Sequence, residues 1–245
     1  MNRSYQFLLA TAAVLAVGCT KDDRPVQTAS AADLNTSTSD SAANARGHSQ
    51  VRVVNAVPGG KDIAVHIGEV TLFNEVKAGA VTDYRETGLN IARFTVLPSG
   101  TPDGIMVSEK DRLLVDGYRY TVFLIAEDVS RNSLRVVRDS PFPDSGKARI
   151  RIIHAAPGAP EMDIGVMGAK DKLFTGVNFK SEAGYKDVAP ATVSLSVHAK
   201  GEGKVLLSIP NLDLKRGTAT TVVITGSSKL SFFTFTDEPL GPEKK

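Results

Sequence analysis

Val51-Arg52-Val53-Val54-Asn55-Ala56-Val57-Pro58-Gly59 returns later in the chain as Ile150-Arg151-Ile152-Ile153-His154-Ala155-Ala156-Pro157-Gly158. Each is a run rich in β-branched residues closed by a Pro-Gly pair, the composition of a strand that ends in a turn. Asp62-Ile63-Ala64-Val65 then matches Asp163-Ile164-Gly165-Val166. The register carries on through Leu72-Phe73 with Leu173-Phe174, Val76 with Val177, Tyr84 with Tyr185 and Val96 with Val197. After small indels Gly117 pairs with Gly217, Thr121-Val122 with Thr221-Val222, and Asp139-Ser140-Pro141 with Asp237-Glu238-Pro239. So many matches, in order over a unit of about 90 residues, identify a duplication. The units read as 51–139 and 150–238.

Within each unit the pattern is that of strands. Thr192-Val193-Ser194-Leu195-Ser196-Val197-His198 alternates polar and apolar without a break, and Ala92-Arg93-Phe94-Thr95-Val96 does the same. Tyr118 to Ala126 and Ala219 to Thr225 are rich in β-branched and aromatic residues and follow glycine turns. Beyond the N-terminal leader no window of about 12 residues has helical periodicity. Short strands every ~8–12 residues predict an all-β protein of two tandem immunoglobulin-like β-sandwiches, with a small barrel as the alternative. Residues 140–149 form a short linker holding Pro141 and Pro143, which predicts limited hinge freedom, and 239–245 form a polar tail.

The N-terminus carries the address. Arg3 is a short positive region, and Phe7 to Val17 is an uncharged, mostly apolar run of about 11 residues, where a spanning helix needs about 20. Residues 1–18 therefore read as a cleaved signal peptide. Leu15-Ala16-Val17-Gly18-Cys19, which ends on the sole cysteine of the chain, resembles the lipobox of bacterial lipoproteins, departing from it at Ala16 where Leu is usual. The resemblance implies that Cys19 becomes the first mature residue and carries acyl chains that anchor it to membrane lipid. Thr20 after the cysteine, rather than Asp, implies delivery to the outer membrane or cell surface. Ala16 and Gly18 also fit ordinary secretory cleavage, which is the alternative. Residues 19–50 contain Val26 and Leu34 but otherwise almost no large apolar side chain. Such a composition predicts a disordered tether, reaching about 30 Å on average and on the order of 100 Å when extended.

The two openings, each followed by Asp-Ile-x-Val, resemble the bacterial domain-of-unknown-function family 4397, whose typical start is V-R-x-x-H-A-S-P-D-A-P followed by V-D-V. The resemblance covers both units, and the second fits better: the first has Asn55 in place of His and lacks the second Pro. Neither has the Asp after Pro. It implies an exported, often lipid-anchored or surface protein, and it implies no particular activity.

Composition narrows the function further. In a chain of 245 residues, a formal charge of +2 supplies no basic field for nucleic acid. His-Glu-x-x-His, paired cysteines, Gly-x-Ser-x-Gly and phosphate loops are all absent, so no catalytic residues, metal or cofactor are predicted. His48 lies in the tether, His66 and His198 fall on polar strand faces, and His154 reads as a hydrogen-bonded core residue. The repeat-matched Pro58, Gly59, Asp62, Tyr84, Pro157, Gly158, Asp163 and Tyr185 read as structural: turns, carboxylates accepting backbone N–H groups, and half-buried rings. Arg52 and Arg151 read as outward-facing and able to pair with Asp62 and Asp163 at little energetic consequence. The expected function is a non-enzymatic envelope lipoprotein that binds an envelope or extracellular protein or a glycan; the alternatives are a structural spacer or assembly component of the envelope and, after it, an enzyme with an unrecognised site. The glycan version wants exposed aromatics; the absence of Trp and the placing of most tyrosines in strands count against it.

Overall fold

The computed structural model describes residues 48–238 apart from 102, 103, 105, 109, 110, 129 and 145. The segments read above as a signal peptide, a lipidation site at Cys19, a tether up to residue 47 and a tail from residue 239 lie outside the described residues.

Described structure is all-β. The first unit contains β1 (Ser49–Asn55), β2 (Ile63–Ile67), β3 (Val70–Val76), β4 (Arg85–Thr87), β5 (Ile91–Ala92), β6 (Phe94–Pro98), β7 (Val107–Ser108), β8 (Arg112–Leu113), β9 (Arg119–Ala126) and β10 (Asn132–Asp139). The second contains β11 (Ala148–His154), β12 (Met162–Val166), β13 (Lys172–Val177), β14 (Glu182–Val188), β15 (Ala191–Ala199), β16 (Val205–Leu214), β17 (Ala219–Thr225) and β18 (Ser231–Asp237). Strands β1 and β11 start two residues ahead of the boundaries set by the repeat.

The sheet order repeats. The first unit stacks β10-β9-β1-β4 on β3-β2-β6-β7, and the second stacks β18-β17-β11-β14 on β13-β12-β15-β16. In both, the opening strand runs parallel to the seventh principal strand in one register: Arg52 lies opposite Thr121, and Arg151 opposite Thr221. This is not the immunoglobulin order, in which the first strand lies beside the second. Here β1 sits between β4 and β9, and each unit uses eight principal strands. Hydrophobic alternation assigns faces, not partners, so the sequence had no means of giving this order.

Three apolar clusters hold the body together. Val51, Val53, Val65, Phe94 and Val122 fill the first sandwich; Ile150, Ile152, Ile164, Val197 and Val222 fill the second. The third joins Val54, Phe123, Ile125 and Val137 of the first unit to Ile153 and Val223 of the second. Thus β10-β9-β1-β4 and its counterpart are covered on both faces, giving four layers, and the described residues form one compact unit. Burying both faces explains why β1 and β11 read as near-continuous apolar runs.

Candidate functional site

Between the two inner sheets lies a charge cluster built from repeat-matched residues. Arg52 is 4% exposed and Arg151 not at all, so the outward-facing reading of both is overturned. Neither pairs with Asp62 or Asp163. Each arginine reaches instead across the junction, to the last residue of the other unit's edge strand. Arg52 grips Asp237 bidentately, Nη1 to Oδ1 at 2.6 Å and Nη2 to Oδ2 at 2.8 Å. Arg151 Nη2 stands 2.7 Å from Asp139 Oδ1, though out of line for a hydrogen bond. Each Nε donates to the threonine opposite it, Thr121 or Thr221, at 2.8 Å.

The matched tyrosines frame the arginines. The Arg52 guanidinium lies 4.5 Å from the Tyr84 ring centre and 4.4 Å from that of Phe235; Arg151 lies 4.7 Å from Tyr185. Tyr84 donates to Asp139 Oδ2 at 2.9 Å, and Thr121 donates to the same oxygen at 2.6 Å. Tyr185 has no such partner among the described residues, and its hydroxyl is buried. Burial first, and then Asp139, push both tyrosine hydroxyls well above their usual range. Burial works against the charge on Arg151, but Asp139 and Glu182 outweigh it and raise its pKa. Glu182, 3.6 Å from Arg151, is itself raised by burial. These buried pairs tie the two units together as an internal lock.

The other sequence-predicted residues separate into distinct roles. Asp163 is buried within β12 and accepts from the N–H groups of Gly176 at 2.9 Å and Gly201 at 3.2 Å, which lower its pKa. Those donors are far along the chain, so this is a cross-strand clamp and not a local turn. Asp62 is exposed just before β2, and its backbone carbonyl accepts from Ser99. His154 Nδ1 accepts from Ala156 N–H at 3.3 Å while Nε2 donates to the Pro160 carbonyl at 3.1 Å. That arrangement uses the neutral ring, and burial lowers its pKa. Asn55 does the same work in the first unit, donating to the Lys61 and Val76 carbonyls at 3.1 and 3.2 Å. His198, expected on a polar face, is buried beside the Gly203 carbonyl at 3.1 Å.

Two of the cavities open to solvent lie at the Pro-Gly turns and at a corner of the first unit. The turns Pro58-Gly59 and Pro157-Gly158 converge on one of about 560 Å³, with Ala126 and Gly226 in its walls. The other, of about 380 Å³, lies at a corner of the first unit beside Gln50, Glu86, Tyr118 and Phe142. Tyr118 precedes β9 rather than lying in it and is 43% exposed, where composition alone puts it inside the strand. Among the described residues no cluster of three or more His, Cys, Asp or Glu could hold a metal ion.

Residues 49–165 match the family model described as domain of unknown function (DUF4397). The matched segment spans the whole first unit and runs on through β11 into β12. It therefore includes Arg52, Asp139 and Arg151 of the lock but not Asp237. No curated protein matches the chain. Among solved structures, CBMbc (family CBM26) from Eubacterium rectale Amy13K in complex with maltoheptaose is 14% identical. That alignment covers 76% of this chain and 96% of the other, at a TM-score of 0.24. The Bacillus anthracis TIE protein is 12% identical over 75% of this chain, at a TM-score of 0.21. This chain covers only 33% of that protein. Neither likeness, at such scores, bears on fold or function.

Proposed function

We propose that this chain is an exported, lipid-anchored protein of the cell envelope that binds a partner outside the cytoplasm and catalyses no reaction. The observation that carries the reading is Cys19, the sole cysteine, set after an apolar leader too short to span a bilayer and before a polar tether. The duplicated body supports it. Arg52, Arg151, Asp139 and Asp237 are consumed in joining the two units, which leaves loops and unmatched corners for recognition, and a four-layer body on a tether suits display. The same consumption of charges favours a second reading, a structural spacer.

Metabolic labelling with a palmitate analogue tests the anchor: wild type incorporates label and Cys19→Ala does not. Equal labelling of the two overturns it. The secreted Cys19→Ala protein, crosslinked to envelope extract and read by mass spectrometry, separates the two readings. A reproducible partner supports binding, and a blank favours the spacer.

A further inference from the structure

The duplication provides an internal control. Residues that hold the fold recur in both units, whereas residues serving a ligand are free to differ. At the corner where β1, β4 and the turn before β9 meet, Gly117 and Asp139 recur as Gly217 and Asp237, but four other wall residues differ: Gln50 against Arg149, Glu86 against Asp187, Tyr118 against Thr218, Arg138 against Thr236. In the second unit the corner is shut. Arg149 grips Asp187 with Nε at 2.5 Å and Nη2 at 3.0 Å, Asp187 also accepts from Asp144 N–H at 2.9 Å, and Thr218 is buried. In the first unit the same corner is a cavity of about 380 Å³, within the range of small-ligand sites.

Its walls combine two features. Tyr118 and Phe142 expose 43% and 51% of their surface, apolar rings turned to solvent. Around them stand the polar side chains of Gln50, Arg138 and Glu86, whose Oε1 is in contact with His48 Nδ1. The Arg138 guanidinium lies 4.8 Å from the Tyr118 ring centre, and Arg119 Nε donates to Gln50 Oε1 at 2.8 Å. The backbone of the wall is pinned: Gln50 N–H donates to the Tyr118 carbonyl at 3.0 Å, Gly117 N–H to that of His48 at 3.1 Å, and His48 N–H to Asp116 at 2.6 Å. A pinned wall loses little freedom when a ligand arrives.

We propose that this corner is a saccharide-binding site. A pyranose has an apolar face of C–H groups and a rim of hydroxyls. Its face lies on Tyr118 or Phe142, and its hydroxyls meet the carboxylate of Glu86 and the amide of Gln50. The inference rests on the binding-module reading and names its ligand class and site.

The test uses the full-length, lipid-free Cys19→Ala protein against immobilised neutral and uronic-acid oligosaccharides, with hits measured by calorimetry. At least one sugar binds. Tyr118→Ala and Phe142→Ala each weaken it at least about tenfold while leaving the unfolding midpoint in place. Gln50→Arg with Glu86→Asp, which copies the ion pair of the second unit, also abolishes binding in a folded protein. The proposal is overturned if no sugar of either type binds, or if binding survives all three variants. Failure here together with a labelled Cys19 and a captured protein partner leaves the envelope reading standing and removes only the saccharide.

Discussion

Arg151 has no exposed surface, and the carboxylate 2.7 Å from it belongs to the other unit. Removing one member of such a pair strands the other without water. Asp139→Asn and Arg52→Met should therefore each cost roughly 3–5 kcal/mol in urea unfolding. Replacing Arg52 and Asp237 together by Met and Leu should cost distinctly less than the sum of the single changes. At His154 the neutral ring is the one that fits, since protonating Nδ1 removes the acceptor used by Ala156 N–H. Its folded pKa is depressed, so its contribution is present above the unfolded value of about 6.5 and is lost as pH falls below it. His154→Asn, copying Asn55, should flatten that part of the stability–pH curve. Asp187, held at about 2 first by the Arg149 hydrogen bonds, contributes above the unfolded value near 4 and loses that contribution as pH falls toward 2. Sequence reasoning found the recurrence of Arg52 and Arg151 but placed both outward, because an arginine between valines normally marks a wet face. The missing fact was the second layer of sheet. A charge repeated in the middle of an otherwise unbroken apolar run was the available signal.

Elements show where the chain tolerates change. Gly158 has φ +76°, and a Cβ added there would meet only open space, so Gly158→Ala should cost about 1 kcal/mol from backbone strain alone. Gly226, in the turn between β17 and β18, has φ +99°, and a Cβ there would meet the Lys229 carbonyl oxygen at 2.1 Å. Gly226→Ala should cost several times more, and thermal unfolding of the two variants side by side checks the ranking. Strand content and the Pro-Gly turns were legible because composition and period report locally. The parallel pairing of β1 with β9 was not: it joins residues some 69 positions apart, such as Arg52 and Thr121, and nothing in either segment names the other. Tyr118 fell outside its expected strand for a related reason, since the Gly117 turn ends one residue later than the β-rich composition implies.

At the level of the whole molecule, the apolar layer of Val54, Phe123, Ile153 and Val223 couples the two sandwiches. Wild type should unfold in one calorimetric transition, with equal calorimetric and van 't Hoff enthalpies. Phe123→Ala combined with Asp139→Asn should split it into two. A single transition in that variant would mean the shared layer contributes less than its burial implies. The repeated sheet order follows the repeated sequence pattern, but the junction was not legible, because two stretches of one pattern carry no statement of which faces meet.

Strand β1 begins where the described chain begins, lies in the middle of its sheet, and is paired along Gln50–Asn55 with β9. A pull applied to the chain ahead of β1 runs along that strand. Its ladder bonds to β9 are then loaded side by side and must give way together, rather than being opened one after another from an end. Tension that enters ahead of β1 thus meets a centrally paired strand and not an edge strand.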